Sequence, residues 1–231
     1  MTDNRLHAPA TLRNRDAILD ALRGVLPPAG LVLEVASGSG EHVVHLARNL
    51  PGLTFQPSDP SPEALLSVSA WVEAARVANV RPPLALDASE VPWPVASADA
   101  VVCINMVHIA PWSAAAGLVR GAAEILPDGA PLYLYGAFRR GGVHTAASNE
   151  AFDRGLRDRD PRWGVRDLEA VAGLARSAGF AGPVVTGMPA DNLSVVLRRL
   201  RRGPSRGGPD RRPLAAVARP TAEGRVSRKG L

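Results

Sequence analysis

Leu31-Val32-Leu33-Glu34-Val35-Ala36-Ser37-Gly38-Ser39-Gly40-Glu41-His42-Val43-Val44-His45 is the stretch that decides the fold. An aliphatic run carries one acid near its end, small residues follow with Gly38 and Gly40, and a helical pattern starts at once. That order reads as a buried strand turning tightly into a helix. Glycine lets a backbone take positive φ or approach a ligand closely, and the first turn of a helix presents unpaired N–H groups. The turn is therefore expected to hold a nucleotide-like ligand.

Outward from it, the same alternation repeats. Ile18, Ala21, Leu22 and Val25 fall at helical spacing and predict a helix over 11–26, stopped by Pro27-Pro28-Ala29-Gly30. After the turn come a helix ended by Pro51-Gly52, a short strand from Leu53 running into Ser58-Asp59, and a helix over 62–78. A third short strand, Leu84-Ala85-Leu86, also ends in an acid, Asp87. Ala98 to Ile104 is a fourth strand, followed by a helix over 113–126 and a fifth strand at Pro131 to Gly136. Residues 137–147 read as a loop, Ser148 as a helix cap and Asp167 as the cap of the next helix. Two last strands, near 183–187 and 193–197, have no helix between them and are expected to pair as an antiparallel hairpin. Strands alternating with helices imply an α/β fold, a mostly parallel seven-stranded sheet with helices on both faces. Residues 1–10 are expected to be a flexible arm, 11–200 the domain, and 201–231 a disordered tail.

The chain has 231 residues, 46% of them hydrophobic, enough for one sizeable core. No run reaches the roughly 18 apolar residues of a membrane span, and the polar start at Asp3-Asn4-Arg5 is not a secretory signal. Cys103 is the only cysteine, which excludes an internal disulfide; a cytoplasmic location is expected. The net charge of +5 is unevenly placed. From Arg198 onward there are 11 Lys and Arg against 2 Asp and Glu, leaving 16 against 20 before it. The basicity thus belongs to the tail, which has no aromatic residues interleaved to stack on bases, so a nucleic-acid partner is not expected.

In an open parallel sheet, ligands sit beyond the carboxyl ends of the strands. Those ends carry Glu34 to Gly40, Ser58-Asp59, Asp87-Ala88 and Asn105 to His108. Asp59, 19 residues past Gly40, can accept from both hydroxyls of a ribose. Asp87 can accept from an adenine amino group, and Ala88 N–H can donate to the ring. A dinucleotide would want a third glycine where Val43 stands. The alternative is S-adenosylmethionine, which has no pyrophosphate. Leu33 to Gly40 resembles the cofactor turn of class I methyltransferases, an acid near the strand end followed by G-x-G, with Ala36 where glycine is commoner.

The resemblance narrows on Ser37-Gly38-Ser39-Gly40-Glu41-His42, Gln56-Pro57-Ser58-Asp59-Pro60, Asn105-Met106-Val107-His108-Ile109-Ala110-Pro111-Trp112, Ser148-Asn149 through Phe152-Asp153, Trp163 to Glu169, and Met188 to Ser194. Together these resemble the largely uncharacterised methyltransferase-like twenty-six family over roughly residues 4–199. The resemblance implies a Rossmann-like class I methyltransferase fold and S-adenosylmethionine as cofactor. It supplies no acceptor.

Expected cofactor contacts are Glu34, Ala36, Ser37, Gly38, Gly40, His42, Asp59, Asp87, Ala88, Asn105 and Met106. A base is needed only if the acceptor must lose a proton; His108, Tyr135 and His144 are the candidates. His108, Trp112, Asn149, Asp153, Trp163 and Arg166 are the candidate substrate contacts. His42 and His45 are spaced as two metal ligands, but nothing nearby completes a set, so no metal is expected. The function expected is methyl transfer to an acceptor that is a small molecule rather than a macromolecule. The alternatives are a cofactor-binding protein without transferase activity and an NAD-dependent oxidoreductase.

Overall fold

The computed structural model describes residues 3–201. Helix α1 (Pro9–Arg23) precedes β1 (Gly30–Val35), α2 (Glu41–Asn49), β2 (Leu53–Asp59), α3 (Pro62–Ala75) and β3 (Leu84–Ala85). Then follow β4 (Ala100–Ile104), α4 (Trp112–Ile125) and β5 (Pro131–Gly136). The seven-stranded sheet runs β3-β2-β1-β4-β5 and is completed by β10 (Asn192–Arg199) and β9 (Phe180–Met188). Its first five strands are parallel, and β10 lies antiparallel between β5 and β9; the link Pro189–Asp191, a single 3-10 turn, is too short to join β9 and β10 as parallel neighbours.

Strand periodicity sorts the side chains onto two faces. Leu33, Val35, Val101, Cys103, Leu132 and Leu134 pack toward α4 and α6 (Leu168–Ser177). Val32, Val102, Ile104 and Tyr133 pack toward α1, α2 and α3. The chain steps outward from β1 to β3 and returns to β4 beside β1, so the strand order reverses between β1 and β4. Val35 is level with Ser58 on one side and Cys103 on the other, which brings the three carboxyl ends to one edge. Among the described residues no helix is long and apolar enough to cross a membrane.

Three local expectations are corrected. The arm is tied down rather than loose. Leu6 N–H donates to Ser67 Oγ at 2.8 Å, Trp71 Nε1 donates to Leu6 O at 2.9 Å, and Ala8 N–H donates to a Glu41 carboxylate oxygen at 2.7 Å. Helix α1 also begins at Pro9, where a residue lacking an N–H is well suited to the first turn. Residues 137–147 are not a plain loop: β6 (Phe138–Arg140) pairs with β7 (Val143–His144) and with β8 (Arg166–Asp167) in a separate three-stranded sheet. Asp167 closes it by accepting from Arg139 at 2.8 Å and from Gly142 N–H at 3.1 Å. Strands of two or three residues leave no periodic signal in a sequence. Ser148 lies inside α5 (Ala147–Arg159), whose cap position is Ala146, and no side chain caps that helix. The tail expected to be disordered falls, beyond Arg201, outside the described residues.

One contact fixes α4 against the sheet edge. A Cβ at Gly117 would fall on Ala88 O and 2.6 Å from Ser89 Cα. Gly117→Ala is expected to lower stability by about 2–3 kcal/mol, because backbone must move to admit the methyl. Urea titration checks this, and an unchanged midpoint would mean that α4 does not press on the segment after β3.

Candidate functional site

The turn between β1 and α2 is built from positive φ values at Ala36 (61°), Gly38 (55°) and Gly40 (89°). Alanine bears this conformation at a cost of about 1–2 kcal/mol, so the surroundings must hold it. They do. Ser37 N–H donates to Ser58 O at 2.9 Å, Gly38 N–H to Asp59 Oδ2 at 2.9 Å, and Ser58 Oγ to Glu34 O at 2.8 Å. Gly40 has a second reason to be glycine, since a Cβ there would stand 2.7 Å from Val68 Cα. A Cβ at Gly38 would meet nothing within 4 Å, so the space over the turn is open.

Two cavities adjoin this edge, and Ile109 lines both. The first, about 420 Å³, is lined by the expected Ala36, Asp59, Asp87, Ala88 and Met106. Asp59 Oδ1 accepts from Ser61 N–H at 2.9 Å, so both its oxygens are oriented. Asp87 is exposed, and its Oδ1 accepts from the Ser89 N–H and hydroxyl, leaving Oδ2 open. The second cavity, about 720 Å³, brings together Asn105, His108, Tyr135 and Asn149. Asn105, expected at the cofactor, thus lines the second cavity. Trp163, expected at the substrate, lines the first.

Several expected contacts line neither cavity. Glu34, Ser37, Gly38, Gly40 and His42 form and support the turn. His42 is buried, and its Nε2 lies 2.9 Å from Asn14 Oδ1. Burial holds its pKa down at about 4, helped by His45 and Arg15. His45 turns instead to Asp16, 3.1 Å away, and among the described residues no group of three or more His, Cys, Asp or Glu is placed to hold a metal. Asp153 accepts from Val165 N–H at 2.7 Å and from Arg157 at 3.2 Å, and His144 lies 3.4 Å from it. Arg166 donates to Val107 O, Ala110 O and Arg162 O and stacks over Trp112. Asp153 and Arg166 therefore brace the segments around the cavities, because their polar groups are already committed to backbone or to neighbouring side chains; His144 leans on Asp153 and Trp112 on Arg166, while His144 Nδ1 is buried without a hydrogen-bond partner.

His108 is buried in the second cavity's wall, its Cε1–Nδ1 edge against Gly136, and its ring meets Phe152 edge to face at 5.3 Å. Burial, with Arg166 nearby, holds its pKa down at about 4, so it is neutral near pH 7. Burial raises the Tyr135 pKa, keeping the phenol protonated. The sequence reading missed Arg13 and Asn14 of α1, which also line this cavity. Asn14 carried a signal: it continues the four-residue stripe of Ile18 and Leu22, a polar residue on a buried face.

Glu34 is the most perturbed acid. It is fully buried, its Oε2 has no partner, and burial lifts its pKa to about 7 against a smaller opposing effect from Ser37. An acid raised on folding stabilises most below its unfolded pKa and loses that contribution as pH climbs to the folded value. The stability of wild type minus that of Glu34→Gln is therefore expected to fall by on the order of 3 kcal/mol between pH about 4.5 and about 7. Denaturant titrations at both ends measure it. A constant difference would mean that Glu34 ionises without penalty.

The fold is similar to that of several solved structures, methyltransferases among them. An O-methyltransferase family protein from Burkholderia thailandensis superposes with a TM-score of 0.72 at 19% identity, over 83% of this chain and 58% of that one. Human N-acetylserotonin methyltransferase in complex with SAM gives 0.67 at 14%, over 83% and 53%. The YcgJ protein from Bacillus subtilis gives 0.61 at 15%, over 83% of this chain and 100% of its own. The chain thus spans little more than half the length of the first two. At these identities the likeness establishes a Rossmann-like class I methyltransferase fold. A family model described as a protein of unknown function (DUF938) matches residues 5–199, and the chain belongs to that family.

Proposed function

We propose that this chain is an S-adenosylmethionine-dependent methyltransferase acting on a small-molecule acceptor. The observation that carries the reading is the pair of cavities meeting at Ile109 over the reversal in strand order, one edged by carboxylates and the other by neutral amides, an imidazole and a phenol. The chain's residues fit the cofactor. The turn is open above Gly38, and Asp59 presents an oriented carboxylate suited to two neighbouring hydroxyls. Asp87 Oδ2 is free to accept from an amino group, and Met106 and Trp163 offer apolar walls. When bound, S-adenosylmethionine supplies a methyl group already activated as a sulfonium. The resemblance to the methyltransferase-like twenty-six family agrees with this reading, and we place the protein in the cytoplasm.

What the chain must do is bind, orient and exclude water. His108 is neutral across the physiological range and can accept a hydrogen bond from an acceptor hydroxyl. With a pKa near 4 it is a weak base, so its role is to aim the nucleophile rather than to hold the proton for long. Tyr135 stays protonated and can donate. Rate enhancement on this reading comes from positioning in a dry cavity.

Titration calorimetry with S-adenosylhomocysteine is expected to give one site, with no binding of NAD. Asp59→Ala is expected to weaken binding at least tenfold, the loss of one charge-assisted hydrogen bond of about 1.5 kcal/mol or more. A folded protein that binds neither S-adenosylmethionine nor its product would sink the proposal, and NAD binding would favour an oxidoreductase. Labelled methyl transfer into the small-molecule fraction of a cell extract checks the acceptor class. Binding without any transfer would favour a cofactor-binding protein.

A further inference from the structure

The second cavity has a charge pattern that selects among acceptors. We propose that it takes a small aromatic carboxylate that also bears a hydroxyl, the carboxylate meeting Arg13 and the hydroxyl set against His108, Asn105 and Asn149. The inference rests on reading this cavity as the acceptor site.

Neither Asp nor Glu lines the cavity, and Arg13 is its one charged lining residue. The Arg13 side chain is exposed and has no ion pair among the described residues, whereas Arg139, Arg154, Arg157 and Arg162 each face an acid. The first cavity is predominantly acidic, with Asp59, Asp87 and Asp160 in its lining and Arg162, paired to Asp160, as its one basic residue. An ammonium in the second cavity would give up water and find no counter-charge, while a carboxylate finds a guanidinium fork.

The inner wall asks for a donor. Asn149 spends both amide hydrogens, on Thr145 Oγ1 at 2.9 Å and Asp191 O at 3.1 Å, so what it has left is the acceptor Oδ1. The His108 imidazole is neutral and has one acceptor nitrogen. The Asn105 side chain makes no hydrogen bond among the described residues and can serve either way. A hydroxyl satisfies such a wall. The aromatic part follows from its neighbours. His108 and Phe152 pack edge to face and Ile109 and Ala137 add apolar surface, which suits a flat ring. About 720 Å³ is a small-molecule volume.

The test titrates the full chain, with and without saturating S-adenosylhomocysteine, with para-hydroxybenzoate, benzoate, para-hydroxybenzyl alcohol and para-hydroxybenzylamine. The expected order puts para-hydroxybenzoate first, at least about tenfold tighter than the amine, since attraction is replaced by repulsion at Arg13. Benzoate is expected to be weaker than para-hydroxybenzoate by a similar factor, through the lost hydroxyl. Arg13→Gln should remove about three- to tenfold of the carboxylate's advantage and leave the alcohol and S-adenosylhomocysteine unchanged. Ala10→Glu places an acid one turn away on the exposed start of α1 and should act in the same direction. An amine that binds as well as the carboxylate, an Arg13→Gln protein with unaltered preference, or no binding of any probe overturns the proposal. Failure of S-adenosylhomocysteine to bind tells separately against the cofactor reading, because the probes are also measured without it.

Discussion

The Asp59 carboxylate is held at both oxygens, by Gly38 N–H on one and Ser61 N–H on the other. Those two bonds join the turn after β1, the end of β2 and the start of α3. The turn contains an alanine and two glycines at positive φ, so it has little intrinsic preference for its shape. Its geometry is imposed from β2, through Asp59 and through the Ser58 backbone and hydroxyl. The buried, half-satisfied Glu34 lies beneath the same turn and adds a destabilising element there. The strained turn and the half-satisfied acid beneath it are held by the parallel β1–β2 pairing, which runs the length of β1. Strain of this kind at a carboxyl edge is common where a fold positions a ligand.

The other side of the edge is organised by committed polar groups. Asp153 and Arg166 each make several contacts to backbone or to charged neighbours, and together they pin the residues after β4 and after α5. These side chains look like ligand contacts in a sequence because they are charged and sit in unusual surroundings. In the folded chain they serve as braces. The residues left with spare hydrogen-bonding capacity in the second cavity are chiefly the neutral ones, Asn105, His108 and Asn149.

The parts of the fold legible in the sequence were those written in long periods. Strand β1 with its glycine turn, the acids at or just past the ends of β2 and β3, and the short link between the last two strands were enough for a mostly parallel seven-stranded sheet closed by an antiparallel hairpin; the strand order is visible only in the fold. Asp59, Asp87, Ala88, Ala36 and Met106 meet in one cavity because each closes or follows a strand, and parallel strands end together. What escaped had no period. The three-stranded sheet of β6, β7 and β8 is assembled from fragments brought together by Asp167. Asn105 and Trp163 exchanged cavities because linear order past a strand does not say which way a loop turns. Arg13 and Asn14 come from a helix that lies before the first strand, where sheet-edge reasoning does not look.

Residues 3–8 acquire a meaning from this arrangement. Leu6 is bonded to Ser67, whose hydroxyl donates to Ser39 O at 2.6 Å, and Ala8 is bonded to Glu41, whose carboxylate also receives the Ser39 hydroxyl. A short polar segment with almost no core of its own is thus wired to the middle of the glycine turn, and it leads directly into the helix that carries Arg13 and Asn14. For anyone preparing this protein, cutting or tagging within those residues disturbs contacts to the glycine turn and to the helix beside the second cavity, and the choice of N-terminus becomes a variable of the cavities rather than a matter of convenience.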